Sequence, residues 1–245
     1  MRAKFVSNLS NVQKFMAGTT RVEKRGALEA SWQLVEGDPG LGKSRTLEWW
    51  ATQKDVVLLR AKSSWTPSWA LRDLLTELGL RPDGRHEQLF NTALAAIARQ
   101  RKPIIVDEIQ HCLKDKRVVE VFRDISDMTL TPVIIGGHLG ISRTLKRFDQ
   151  IYSRIADVTV FDYCTLEDVA ICCTELCEGI EIAEDLVAQI HLRTSGRLRE
   201  MMNAIAEVER FGRKHGKKIM AAADIPLTSL TNDGKARSAA VRLSA

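Results

Sequence analysis

"VEGDPGLGKSRTLEWW", residues 35–50, decides how this chain is read. Gly37, Gly42, Lys43 and Ser44 within it fit the spacing G-x-x-x-x-G-K-[ST]. The apolar run before it, "WQLVE" (32–36), reads as a buried strand, and "SRTLEWWATQ" (44–53) reads as a helix. Strand, glycine loop and helix form the geometry that a bound phosphate needs. Glycines let backbone N–H groups converge on the anion, and the helix start adds positive potential. The candidate contacts are Gly37, Asp38, Pro39, Gly40, Leu41, Gly42, Lys43, Ser44 and Arg45. Lys43 is expected to reach the β- and γ-phosphates and Ser44 to ligate magnesium, so ATP and Mg2+ are the implied cofactors.

A loop alone does not say what attacks the phosphate. The run "PIIVDEIQHC" (103–112) adds that part. Pro103 suits a strand's first residue, Ile104 to Val106 are β-branched, and Asp107 and Glu108 end the strand. An acid at the carboxyl end of a parallel strand points into the crevice where ligands bind. Asp107 is the second candidate metal ligand, and Glu108 is the candidate for orienting and polarising a water. Adjacent acids favour water over a metabolite hydroxyl as the nucleophile.

Three further apolar runs, "DVVLLRAK" (55–62), "TPVIIGGH" (131–138) and "ADVTVFDY" (156–163), alternate with helical patterns. The segments at 68–80 and 87–100 each put leucines or isoleucine on one face. This alternation predicts an α/β fold with a parallel sheet and helices on both faces. After residue 163 the strand rhythm stops. Helices are expected at 165–179, with Thr165 as N-cap, at 183–194 and at 196–216.

Composition bounds the rest. The chain has 245 residues, 44% of them hydrophobic and 27% charged, which suits one domain with a small appendage. The net charge of +5 is a mild hint of a polyanionic partner. No run of about 18 apolar residues predicts a membrane span, and the start lacks a signal-peptide pattern, so a cytoplasmic protein without a membrane partner is expected. The cysteines at 112, 164, 172, 173 and 177 form no CxxC pair and read as buried apolar residues.

The loop, the paired acids and the helical C-terminal part together resemble the AAA+ ATPases, over roughly residues 15–225. The resemblance implies a P-loop parallel-sheet core at 1–163 with an N-terminal helical extension, a small helical lid at 164–225, and leaves a flexible basic tail at 226–245. It places a γ-phosphate sensor at the end of the fourth strand. There "IIGGH" carries Gly136 and Gly137 in place of the usual polar residue, which makes His138 the candidate. It places an arginine before the fifth strand that reaches a neighbouring copy's nucleotide. Arg154 is that candidate, with Arg147 in reserve. "SGRLRE" matches the family's Gly-x-x-Arg, so Gly196 starts the third lid helix and Arg199, or Arg197, reaches the phosphates as the lid closes.

Within that family, the short chain and simple lid are similar to the transposition target-selection ATPases of Mu-like phages and Tn7-like elements. What this resemblance implies is binding to double-stranded DNA with ATP, homo-oligomers in helical filaments, an integrase-type transposase as partner, and a phage or mobile element as source. Lys62, Lys114, Lys116 and Arg117 are the candidate DNA contacts, and each of those runs reads equally well as a solvated face. A helicase loader, a nucleotide-gated signalling or scaffold switch, and a small-molecule kinase stay open as alternatives. The acid pair and the lid arginine disfavour the kinase.

Overall fold

The computed structural model describes residues 1–231; the expected tail beyond them lies outside the described residues. The chain divides into two compact units. One comprises residues 14–39 and 43–161, and the other residues 1–13, 40–42 and those from 162 onward.

The first unit is built on five strands: β1 (Trp32–Gly37), β2 (Val57–Arg60), β3 (Ile104–Asp107), β4 (Val133–His138) and β5 (Ile155–Phe161). Their order is β2-β3-β4-β1-β5 and every pair is parallel. Position in the sheet explains composition. Every residue of β1 and β3 is buried, as strands covered on both faces require. β5 lies at an edge and alternates: Asp157, Thr159 and Phe161 face inward while Ala156, Val158 and Val160 are exposed.

The helices of this unit are α2 (Lys43–Lys54), α3 (Pro67–Glu77), α4 (His86–Gln100), α5 (Lys116–Thr129), α6 (Ile141–Leu145) and α7 (Asp149–Tyr152). Local chemistry starts them. Thr66 caps α3 by accepting from Trp69 N, with Pro67 at the first helical position. Asp115 caps α5, which buries Val118, Val119, Val121, Phe122 and Ile125. Trp65 belongs to the same core and donates its indole N–H to Asp73 Oδ2 at 2.8 Å.

The second unit carries α8 (Leu166–Leu176), α9 (Glu184–Thr194) and α10 (Leu198–Lys214), with a small parallel pair, β6 (Glu181–Ile182) and β7 (Ile219–Met220). Residues 1–13, expected with the core, group here instead. Lys4 Nζ meets Glu175 at 2.8 Å, and the Ser10 backbone and hydroxyl both donate to Asp168. The helix α1 (Ser10–Glu23) begins at that contact. Residues 226–231, expected as the start of a flexible tail, form a 3-10 turn at Leu227–Leu230 whose Leu230 is buried. An apolar side chain with a core to enter orders the backbone that carries it.

Candidate functional site

The loop between β1 and α2 has the shape its sequence requires. Gly40 and Gly42 have φ of +86° and +93°, a region closed to most side chains. Gly37 sits so close to β5 that a Cβ there would lie 2.8 Å from the Phe161 carbonyl oxygen. Lys43 opens α2, and its ammonium donates to the carbonyls of Gly37 at 2.7 Å and Asp38 at 2.9 Å. A cation folded onto the loop's own oxygens has the reach and charge for a phosphate in that cradle. Ser44 is half-buried in the first turn of α2. Arg45 is exposed and 3.3 Å from Glu48, while Leu41 is buried. Within the second unit, Arg199 N donates to Gly40 O at 3.0 Å, and Leu198 occupies the space a Gly42 side chain would need.

Asp107 is the last residue of β3 and only 2% exposed. Its Oδ1 accepts from Glu108 N at 2.9 Å, and its Oδ2 lies 3.7 Å from the Arg60 guanidinium. Arg60 also reaches Glu48 at 3.1 Å. Glu108 has φ +57°, a left-handed backbone that costs a non-glycine residue on the order of 1 kcal/mol. The Gln110 amide donates to its carboxylate. Gln110 Oε1 is buried without a partner. Ser44 and Asp107 supply oxygen donors of the kind magnesium takes. No cluster of three or more His, Cys, Asp or Glu suited to a metal exists among the described residues.

The two glycines ahead of His138 have a packing cause. A Cβ on Gly136 would lie 2.7 Å from Asp107 Oδ1 and 2.9 Å from Leu47 Cδ1, and one on Gly137 would lie 2.7 Å from Ile141 Cδ1. His138 ends β4, exposed and in register with Gly37, with Nδ1 bonded to the Leu139 carbonyl at 2.9 Å.

Arg154 lies at the other end of the sheet. Its carbonyl accepts from Trp32 N, the first residue of β1, whereas the loop leaves from Gly37. Five residues of strand separate those ends by roughly 17 Å. Asp127 holds its guanidinium through two bonds of 3.1 and 2.9 Å, and that side-chain bonding raises the Arg154 pKa further. Arg199 is exposed, and Arg197 stacks over Tyr163 at 5.3 Å. Of the basic candidates, Lys62 pairs with Asp73 and lies over Trp69, Lys116 pairs with Glu120 at 3.6 Å, and Arg117 pairs with its own cap Asp115 at 2.8 Å. Lys114 is exposed.

All five cysteines are free and buried. Burial pushes the thiols of Cys112, Cys164 and Cys173 up to about 12 and that of Cys177 to about 11, so none is a nucleophile near neutral pH. Sequence reasoning missed Arg60 beside Asp107, and it missed Glu36, whose carboxylate binds Ser142. The signal for Glu36 was a lone acid inside the apolar run "WQLVEG".

Strand order, loop and acids define the class: a P-loop protein with an AAA-type α/β fold. The family model described as an AAA domain matches residues 29–145. Among solved structures, Cdc6p from Pyrobaculum aerophilum is similar at 14% identity and a TM-score of 0.62, over 92% of this chain and 68% of that one. The Thermotoga maritima RuvB Holliday junction branch migration motor is similar at 17% identity and a TM-score of 0.59, over 90% and 67%. Aeropyrum pernix Orc1 in complex with DNA is similar at 16% and 0.58, over 94% and 64%. No curated protein sequence matches this chain. No helix among the described residues is long and apolar enough to cross a membrane.

Proposed function

We propose that this protein is an ATP-hydrolysing, DNA-binding AAA ATPase. The observation that carries the reading is the convergence of β1 and β3: the phosphate loop leaves Gly37 while Asp107 ends β3, with Glu108 next in the chain, at the same, carboxyl edge of a parallel sheet. Residues 37–45 bind the nucleotide phosphates, with Lys43 exchanging its bonds to Gly37 and Asp38 for the phosphate oxygens. Ser44 and Asp107 hold the magnesium ion, which neutralises phosphate charge when bound. Glu108 accepts a proton from the attacking water, and His138 senses the γ-phosphate. Arg199 and, from a second copy, Arg154 contribute positive charge to the reaction. Magnesium-dependent hydrolysis in an assembly of copies follows from these roles.

The solved Orc1 structure holds DNA and RuvB is a branch migration motor, which supports DNA as the partner here. Lys62, Lys114, Lys116 and Arg117 are the proposed contacts; the exposed ion pairs of three of them are weak enough to exchange for DNA phosphates. The finer reading is regulation of transposition: assembly on duplex DNA, target selection and activation of an integrase-type transposase. It rests on the resemblance of the simple helical lid. For the domains, a core that ends near residue 163 and a helical lid at 164–225 remain the proposal, with residues 1–13 grouped with the lid and Leu227–Leu230 forming a 3-10 turn whose Leu230 is buried.

The test is ATP hydrolysis by purified protein against increasing duplex DNA, beside Glu108→Gln. Stimulation by DNA of any sequence, fading with salt and absent in the variant, is the expected result. A DNA-independent rate, or a rate only with a small-molecule acceptor, would point to the switch or the kinase.

A further inference from the structure

α8 is more apolar than one buried face requires. Val169, Cys172 and Leu176 are buried along one side of it. Leu166, Ala170 and Cys173 recur at i, i+4 and i+7, which puts them on a common stripe of the same helix. That stripe lines a groove of about 1050 Å³. Val187 in the first turn of α9 and Ile182 of β6 line it too, so the whole groove lies within the second unit. Leu166 is 50% exposed, a large apolar side chain left to water beside other apolar groups.

Charge separates the rim of this groove from the rest of the protein. The chain carries a net +5, yet Glu167, Glu181 and Glu184 stand exposed around the groove. Among the described residues none of these three has a cation within ion-pair distance. Elsewhere in the same unit Glu175, Glu178, Glu207 and Glu209 each meet a lysine or an arginine. Lys218 also lines the groove and leaves the acids in excess. An apolar floor with unpaired carboxylates at its edge fits an occupant that is apolar on one face and cationic beside it.

We propose that this groove is the docking site for a basic, amphipathic helix of a partner protein. The stripe on α8 takes apolar side chains spaced at i, i+4 and i+7 on that helix, and Glu167, Glu181 and Glu184 pair with the lysines or arginines that flank them. Size agrees. A helix about 10 Å across that rises 1.5 Å per residue occupies about 120 Å³ per residue, so the groove matches about two and a half turns. DNA is disfavoured here by the like charge of its phosphates. A second copy docked groove to groove about a twofold axis would set the same three carboxylates against each other. No groove residue belongs to the phosphate loop or to the acid pair, so docking and nucleotide hydrolysis are separable.

The test uses the full chain and a fluorescein-labelled peptide of about 15 residues, built of Leu, Ala and Lys with Leu at i, i+4 and i+7. A control peptide carries Glu in place of each Lys. Anisotropy reads binding, and amide hydrogen exchange at residues 166–174 and 180–187 reads its place. The lysine peptide should bind with a Kd of about 10 μM or tighter and slow exchange in both segments at least about threefold. Binding should weaken about tenfold in the combined variant Glu167→Gln, Glu181→Gln, Glu184→Gln and in Ala170→Lys, which sets a cation in the groove. The glutamate peptide should bind at least about tenfold more weakly than the lysine one. All four side chains are exposed, so the urea midpoint and ATP hydrolysis of the variants should match the unsubstituted protein.

No binding at about 100 μM peptide overturns the docking site. So does equal binding of the two peptides, equal binding by the unsubstituted protein and the combined variant, or protection confined to other segments. If removing residues 232–245 tightens peptide binding at least about tenfold, the occupant is the chain's own end and the partner proposal falls. If the peptide dissociates oligomers in sedimentation velocity, the occupant is a second copy, with the same consequence. A protein that binds the peptide as expected but hydrolyses no ATP supports the docking site and overturns the functional reading alone.

Discussion

Asp127 decides whether Arg154 is available. Both side chains are less than one-third exposed, and the bidentate geometry is the strongest form of the Arg–carboxylate contact. A guanidinium held this way cannot also reach a phosphate. Asp127→Asn keeps the shape and removes the charge, so it should free Arg154 for a second copy. A pair of this kind is worth about 1 kcal/mol, or about fivefold in an equilibrium. The protein concentration giving half-maximal hydrolysis should fall about two- to fivefold in the variant. A threshold that stays put or rises would mean that Asp127 aligns Arg154 and does not restrain it. Gly136 sets a similar condition on Asp107. Gly136→Ala would place a methyl 2.7 Å from Oδ1, against a strand with no room to retreat. The overpacking should cost about 1–3 kcal/mol in a urea titration. Hydrolysis should fall at least about tenfold because the carboxylate leaves its position. Normal hydrolysis in a folded Gly136→Ala protein would remove Asp107 from the site.

At the scale of elements, α8 shows how local and distant chemistry meet. Thr165 and Asp168 form a reciprocal cap: Thr165 Oγ1 accepts from Asp168 N at 3.1 Å and Thr165 N donates to Asp168 Oδ2 at 2.9 Å. Ser10 adds its N–H at 2.8 Å and its hydroxyl at 2.7 Å. Burial alone would raise the Asp168 pKa, but the donors from Ser10 and Thr165 outweigh it and hold the carboxyl below its usual value. A depressed carboxylate pKa gives stability that is complete above the unfolded value of about 4 and disappears as pH falls through the folded value. Asp168→Asn should therefore cost about 2–3 kcal/mol at pH 7, and the gap to the unsubstituted protein should close as the pH falls below about 4. Urea titrations across that range check it; a gap that is constant with pH would assign the loss to packing. The Thr165 cap was legible in sequence, because a capping box is a pattern four residues long. So were the strand runs, the loop glycines and the parallel sheet, each of which follows from spacing or β-branched composition. The Ser10 contribution was not legible. Nor were the Glu36–Ser142, Arg154–Asp127 and Arg60–Asp107 contacts, because each joins residues far apart in the chain and leaves no periodic trace. Gly136 and Gly137 read as the loss of a polar sensor; their cause lies in neighbours that only the folded sheet brings near.

For the whole molecule, the proposed reaction needs more than one copy. Arg154 sits beside the start of β1 and the phosphate loop leaves its end, roughly 17 Å away along a buried interior strand. Within one chain the two cannot meet at one phosphate, so a contribution of Arg154 to hydrolysis has to come from a neighbour. This makes a mixing experiment decisive. Arg154→Ala copies retain Lys43 and can bind nucleotide but offer no arginine; Lys43→Ala copies do the reverse. Each alone should hydrolyse ATP at least about 100-fold more slowly than the unsubstituted protein, since an arginine supplied in trans is worth about 10³ or more in rate. In an equal mixture that assembles at random, a productive contact needs an Arg154→Ala copy whose neighbour is a Lys43→Ala copy. Half the sites are of the first kind and half of their neighbours of the second, so about a quarter of the full rate should return. Titrating the ratio away from equality should lower the recovery on both sides, because the yield follows the product of the two fractions. No recovery at any ratio, in a mixture shown to assemble, would mean that Arg154 does not act on the nucleotide. Asp127 would then be its permanent structural partner.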